Sequence, residues 1–141
     1  APLDYGAVSI GDMTGIMNEA TLIAVMIETP EGIGNVEEIA AVPGIDVVLI
    51  GSSDLSAELG IPGQFEHPLI EEAYGTLIAA CRKHGKFPGM GGIYQENIME
   101  KYIKMGARFI LSGSDFSFVM AGAASRTRFL SGIDCLVDDA A

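Results

Sequence analysis

Two strand-like apolar runs lie one helix-length apart, and each ends in an acid at the start of a turn. The first is Thr21-Leu-Ile-Ala-Val-Met-Ile-Glu28. The second is Ile45-Asp-Val-Val-Leu-Ile-Gly-Ser-Ser-Asp54, and Thr29 to Gly44 separates them. A strand–helix–strand order favours two parallel neighbouring strands with a helical crossover. Glu28 and Asp54 would then leave the sheet at the same edge. Two carboxylates there would build half the oxygen shell of a hard divalent cation.

The second run carries no apolar/polar alternation, and Asp46 is the only polar residue from Ile45 to Ile50. Strands buried on both faces read this way, as in parallel sheets. An apolar fraction of 49% agrees with such a core. So does a mean hydropathy of +0.36. No apolar run approaches the ~18 residues of a membrane span, so no membrane partner is expected. The net charge is −11, from 19 acids against 8 bases. No basic patch is visible, which argues against a nucleic-acid partner. The acidity suits a soluble protein, or one that holds cations. Cys81 and Cys135 lack zinc-type spacing and read as reduced, buried thiols of a cytoplasmic protein. The start, Ala1-Pro-Leu-Asp-Tyr-Gly, has neither the basic residues nor the long apolar stretch of a signal peptide.

Strand, turn and helix repeat along the chain. Ser9 to Ala20 reads as a weak helix and Leu22 to Ile27 as the first strand. Pro30 opens a helix that carries Ile33, Val36, Ile39 and Ala40 and stops at Pro43-Gly44. Val47 to Ile50 is the second strand, followed by a long connection with a short helix at Leu55 to Leu59. Pro68 to His84 is a strong helix ended by Gly85. Lys86 to Met90, a helix at Glu96 to Met105, a strand at Ala107 to Leu111 and a helix at Phe116 to Phe129 complete the series. Gly44 to Ser56 is echoed by Gly106 to Ser117: glycine, strand, Gly-Ser turn, Asp, Ser. Four βα units predict a parallel sheet, either a small doubly wound sheet or part of a (βα)8 barrel. At 141 residues, the expectation is one partial domain over 1–141, with a frayed tail at 134–141.

Each candidate site residue has a plainer alternative. Glu28 can be a metal ligand or an acid paired with a helix N-terminus, the role also assigned to Glu31. Asp54 can be a ligand or the N-cap of Leu55 to Leu59. Gly51-Ser52-Ser53 before it would let the backbone approach a ligand and offer consecutive amide donors to an anion. Asp115 reads as a cap of the last helix, with a third acid at the site as the alternative. His67 and His84 read as helix-end residues. Gly89 to Gly92 matches no phosphate loop and is either a pocket wall or a mobile loop. Met13, Met17, Met99 and Met105 read as core filler.

Taken together, Ile27-Glu28-Thr29-Pro30-Glu31-Gly32, Asn35 to Ile39, Pro43 to Asp46, and Gly51 to Ala57 with Leu59-Gly60 resemble the HpcH/HpaI aldolase family. These are metal-dependent, class II pyruvate aldolases. The likeness continues through His67-Pro68, Gly85-Lys86 and Gly106-Ala107 to Gly113 and Asp115. It implies the C-terminal four βα units of a (βα)8 barrel, with the last helix exchanged between subunits of a homo-oligomer. It implies Glu28 and Asp54 as ligands of Mg2+ or Mn2+, with Co2+ or Zn2+ as alternatives. It implies that Gly51, Ser52, Ser53 and Asp54 bind the carboxylate of the substrate.

The expected reaction is cleavage of 2-keto-4-hydroxy acids to pyruvate and a small aldehyde. Oxaloacetate decarboxylation and citrate-lyase-β-like acyl-CoA cleavage are the enzyme rivals, and a non-catalytic assembly subunit is the rival of another class. Met26 stands where the family often has Gln. A (βα)8 barrel takes about 250 residues. The His and Arg that the resemblance assigns to acid–base work and substrate binding come from earlier strands, and Arg82, Arg108, Arg126 and Arg128 match neither position. An N-terminal half-barrel or second chain is therefore the expected partner.

Overall fold

The computed structural model describes residues 9–134. They form two compact units, one ending at Leu111 and the other starting at Ser112. The expected frayed tail falls almost wholly outside the described residues, as does Cys135.

The first unit opens with α1 (Ile10–Ala20), capped by Ser9, whose hydroxyl accepts the Asp12 N–H. No residue of α1 is buried, which corrects the reading of Met13 and Met17 as core filler. Met99 and Met105, by contrast, pack against the core. Then follow β1 (Ala24–Ile27), α2 (Pro30–Gly34), α3 (Val36–Ala41), β2 (Val47–Gly51), α4 (Ser52–Glu58), α5 (Pro68–His84), β3 (Phe87–Gly91), α6 (Glu96–Met105) and β4 (Phe109–Ile110). The single helix expected after Pro30 is two, broken at Asn35.

The strands form one sheet in the order β1-β2-β3-β4, every pair parallel. Ile27, Ile50, Met90 and Ile110 stand in one row across it. Asp46, the lone polar residue of the second run, precedes β2 and accepts the Ile23 N–H at 2.8 Å, so its carboxylate is used at the strand entrance.

The core lies between this sheet and its helices. Ile27, Val48, Ile50 and Met90 pack against Val36, Ala40, Leu55, Ile70, Ala73, Tyr74, Leu77 and Ile98. The residues of α5 in this layer recur at helical spacing, which is why the segment from Pro68 reads so clearly. His67 caps it, with Nδ1 accepting the Leu69 N–H at 3.2 Å, and Gly85 ends it in the left-handed region at φ +67°.

On the other face the flanking strands are more open, with Met26 46% exposed and Phe87 59%, while Val47 and Leu49 of β2 are buried. The helices of this unit that bury residues cover one face of the sheet. A doubly wound sheet carries helices on both faces, whereas a barrel wall carries them outside only. The arrangement is that of four consecutive βα units of a (βα)8 barrel.

The second unit contains α7 (Asp115–Ser131), none of whose residues is buried. Phe116, Phe118, Val119, Met120, Phe129 and Leu130 are exposed along it.

Candidate active site

Parallel strands bring their C-terminal ends to one rim, and the residues that follow them meet there. Register pairing of Ile27 with Ile50 sets Glu28 level with Gly51. The chain turns at once after Glu28, because Thr29 caps α2 by accepting the Gly32 N–H at 3.1 Å and Pro30 occupies its first turn. Glu31 is the acid in that turn. Glu28 therefore precedes the cap, and the dipole-pairing role falls to Glu31.

The Glu28 side chain lies over Gly51. A β-carbon at position 51 would stand 2.8 Å from Glu28 Cγ, 2.9 Å from Oε1 and 3.0 Å from the sulfur of Met26. Only a residue without a side chain leaves that carboxylate where it is. Met26 and Glu28 alternate with Ile27, so the thioether and the carboxylate share the face that the helices leave open.

Gly51 is also the N-cap residue of α4, and Asp54 lies in the helix's first turn. The helix begins three residues before the expected Leu55, which corrects the reading of Asp54 as its cap: the cap makes no side-chain hydrogen bond. Asp54 and Ser53 are exposed, while Ser52, Leu55 and Ser56 are buried. The Ser52 hydroxyl is spent inside the core, 2.7 Å from the Tyr74 hydroxyl. Of Ser52, only the backbone faces the rim as a candidate binding group.

Gly92 closes the other side. It follows β3 at φ +82°, and a β-carbon there would stand 2.8 Å from Ser53 Oγ, 3.1 Å from Ser53 N and 3.5 Å from Ser52 N. The Ser53 hydroxyl donates to the Gly92 carbonyl at 3.4 Å. The glycine run at Gly89 to Gly92 is thus strand and wall, not a mobile loop. Sequence reasoning missed Tyr74, since its hydroxyl acts on Ser52, 22 residues away in the chain.

The remaining candidates lie elsewhere. His84, at the end of α5, has Nε2 3.9 Å from Glu37 Oε1, an oxygen that also pairs with Lys83. Arg108 donates to the carbonyls of Ile103 and Ala107, and Arg82 lies beside Gly106. These groups sit where helices end and strands begin, on the opposite rim. Asp115 opens α7, but Ser114 is its cap, in a capping box with Ser117. This corrects the capping role expected of Asp115 and also breaks the internal echo. Asp54 stands in the first turn behind a glycine cap, and Asp115 directly after a serine one.

A hard divalent ion fits what the rim offers. Carboxylate oxygens are the donors Mg2+ and Mn2+ prefer. The space beside Glu28 Oε1 is one that a β-carbon at Gly51 would fill. Among the described residues no three His, Cys, Asp or Glu side chains are grouped so that they could hold an ion.

A four-stranded parallel wall with its helices on one face, and two acids following the ends of β1 and β2, defines the class as part of a (βα)8 barrel. Residues 7–121 match the family HpcH/HpaI aldolase/citrate lyase, and the chain belongs to it. It is 39% identical over 106 residues to the 4-hydroxy-4-methyl-2-oxoglutarate aldolase of Hapsidospora irregularis, covering 74% of this chain and 39% of that one. It is 37% identical over 114 residues to the 4-hydroxy-2-oxo-heptane-1,7-dioate aldolase of Salmonella paratyphi A, covering 81% and 43%. The crystal structure of an HpcH/HpaI aldolase from Desulfitobacterium hafniense DCB-2 superimposes with a TM-score of 0.76 at 26% identity. That match covers 95% of this chain and 52% of the other. The chain thus spans about half, or less, of the length of the proteins it matches.

Proposed function

We propose that this chain supplies the metal-binding half of a class II pyruvate aldolase. In this reading Glu28 and Asp54 hold a divalent ion, Mg2+ or Mn2+, with Co2+ or Zn2+ as alternatives. The backbone amides of Ser53 and Asp54, with Gly51 and Ser52 behind them, hold the substrate carboxylate. The observation that carries the reading is the Glu28 carboxylate lying over Gly51, the residue from which α4 and Asp54 spring.

The substrate is a 2-keto-4-hydroxy acid, and the products are pyruvate and a small aldehyde. The C3–C4 bond breaks, its electron pair stays with the pyruvate carbons as an enolate, the C4 hydroxyl loses its proton to a base as it becomes the aldehyde carbonyl, and C3 takes up a proton to give pyruvate. The chemistry a bound divalent ion supplies is Lewis-acid stabilisation of the charge that develops on the keto oxygen. The amide donors of Ser53 and Asp54 fix the carboxylate end. Met26 and Gly92 bound the space, one with a thioether and the other with bare backbone. Arg82, Arg108 and His84 lie on the far rim, so in this reading the base that takes the hydroxyl proton comes from an N-terminal half-barrel. An N-terminal half-barrel, in the same polypeptide or a second one, completes the site.

We further infer that the whole chain works as one partial domain and that α7, with its exposed Phe116 and Phe118, crosses to a neighbouring copy in a homo-oligomer. Among the described residues no helix is long and apolar enough to cross a membrane. A cytoplasmic setting suits the buried, unbridged thiol of Cys81.

The test is pyruvate release from a 4-hydroxy-2-oxo acid, with the full chain assayed alone and with a relative's N-terminal half. The expected result is Mn2+-dependent pyruvate from the pair, lost in Glu28→Gln. Turnover that survives both chelation and Glu28→Gln contradicts the reading. The family's double description, aldolase and citrate lyase, favours oxaloacetate or an acyl-CoA ester as the second substrate to assay. If no substrate turns over and Mn2+ does not bind, the chain is an assembly subunit whose acids only complement helix ends.

A further inference from the structure

The exposed face of α4 carries the groups assigned to ligand binding, and its buried face shows what holds them. The helix has seven residues, too short to be stable by its own hydrogen bonds. One hydroxyl ties its last turns to the loop that follows: Ser56 Oγ donates to the Ser53 carbonyl at 2.8 Å and accepts the Gly63 N–H at 3.0 Å. A single side-chain hydrogen bond leads from its first residue to another element, the 2.7 Å bond between Ser52 Oγ and Tyr74 of α5.

Tyr74 is itself anchored. Its ring is fully buried and stacks on Tyr102 of α6, with centroids 4.0 Å apart and planes 22° from parallel. The Tyr102 hydroxyl in turn donates to the Phe65 carbonyl at 2.6 Å.

We propose that Tyr74 is a positioning residue for the metal site, acting through Ser52. Its hydroxyl pins the first residue of α4 from below while Glu28 packs over Gly51 from above, and so fixes where the Asp54 carboxylate and the Ser53 and Asp54 amides stand. The bond joins two buried hydroxyls, so losing one partner strands the other without water. The helix can then re-orient to satisfy it, and Asp54 moves with the helix. The proposal rests on the metal reading of Glu28 and Asp54 and deepens it.

The experiment is a Mn2+ titration of the full chain, with free Mn2+ read by its paramagnetic resonance, beside thermal unfolding. Tyr74→Phe removes the hydroxyl and keeps the stacked ring; Ser52→Ala removes the other partner. Each is expected to weaken Mn2+ binding roughly 10-fold, the scale of lost outer-shell support. The double variant should be no weaker than either single one, because both break one bond. Tyr102→Phe is the structural control. It cuts the neighbouring, partly buried bond to Phe65 and should lower the melting temperature while leaving Mn2+ affinity unchanged.

Wild-type affinity in Tyr74→Phe and Ser52→Ala overturns the proposal while leaving the metal reading intact. Equal weakening in Tyr102→Phe also overturns it, by showing a general loss of packing. If wild type itself binds no Mn2+, the metal reading fails and this proposal falls with it. Should Tyr74→Phe fail to fold, Ser52→Ala against Tyr102→Phe carries the same decision.

Discussion

The Glu28 carboxylate and a side chain at position 51 exclude one another: a β-carbon on Gly51 would stand 2.9 Å from Glu28 Oε1. Gly51 has φ −81° and ψ 87°, so no left-handed strain requires glycine there. The requirement is space. Gly51→Ala should therefore fold with nearly wild-type stability while displacing Glu28 from the rim. Calorimetry should show a small change in melting temperature and the Mn2+ titration a large loss. Unchanged Mn2+ affinity would mean the carboxylate does not work from this position.

Gly92 differs, since both conformation and space demand glycine. Its φ of +82° lies in the left-handed region, and the nearest atoms include the Ser53 backbone nitrogen at 3.1 Å. Gly92→Ala should cost about 1–2 kcal/mol for the backbone alone. It should also abolish protection by pyruvate against thermal unfolding in the presence of Mn2+. Retained protection would show that the turn after β3 is not the wall of the carboxylate site.

Much of this was legible in the sequence, and the limits follow a pattern. The βα rhythm, the cap at His67-Pro68 and the stop at Gly85 are local signals, and the helix from Pro68 to His84 matches them. The break at Asn35 was hidden because the apolar residues on either side keep one helical period. The start of α4 at Ser52 was hidden because Asp54 is the stronger capping residue by type, while β2 in fact feeds Gly51 straight into the helix. Tyr74 lies on the buried face of α5 with Ile70, Ala73 and Leu77, and no local signal sets it apart. Its hydroxyl finds Ser52 only when β2 and α5 pack. That the segments after β1 and β2 leave the sheet at one edge was readable from the strand pattern, because parallel pairing brings those ends together.

Burial pushes the Cys81 thiol up to about 11, with a backbone hydrogen bond at Val48 acting weakly the other way. It therefore stays a thiol at neutral pH, without the thiolate that alkylation requires. Iodoacetamide at pH 7.5, followed by peptide mass mapping, should leave Cys81 unmodified in native protein and label it fully in denaturant. Rapid native labelling would contradict its place against the sheet.

The Lys83 ammonium, by hydrogen bond and by charge, holds the Glu37 carboxyl below its ordinary value of 4.5, and His84 adds a smaller pull. A depressed carboxyl adds stability that is present above its unfolded value and lost as pH falls through the folded one. Glu37→Gln should thus melt slightly below wild type at pH 7. The gap should close below pH 4.5 and in roughly 1 M salt, where surface charges are screened. The pair is exposed, so the gap is small. A gap that persists in acid would assign Glu37 a role other than its charge.

Leu77 is fully buried where α5 crosses the sheet. Leu77→Ala should lower the unfolding free energy by about 2–5 kcal/mol, read by urea denaturation. A loss below roughly 1 kcal/mol would contradict the one-sided core.

The most direct measurement is the binding of Mn2+ to the wild-type chain, to Glu28→Gln and to Asp54→Asn, each checked for folding by circular dichroism. Joint coordination requires one saturable site in wild type that both single substitutions abolish. Binding that either folded variant retains at full strength would contradict it.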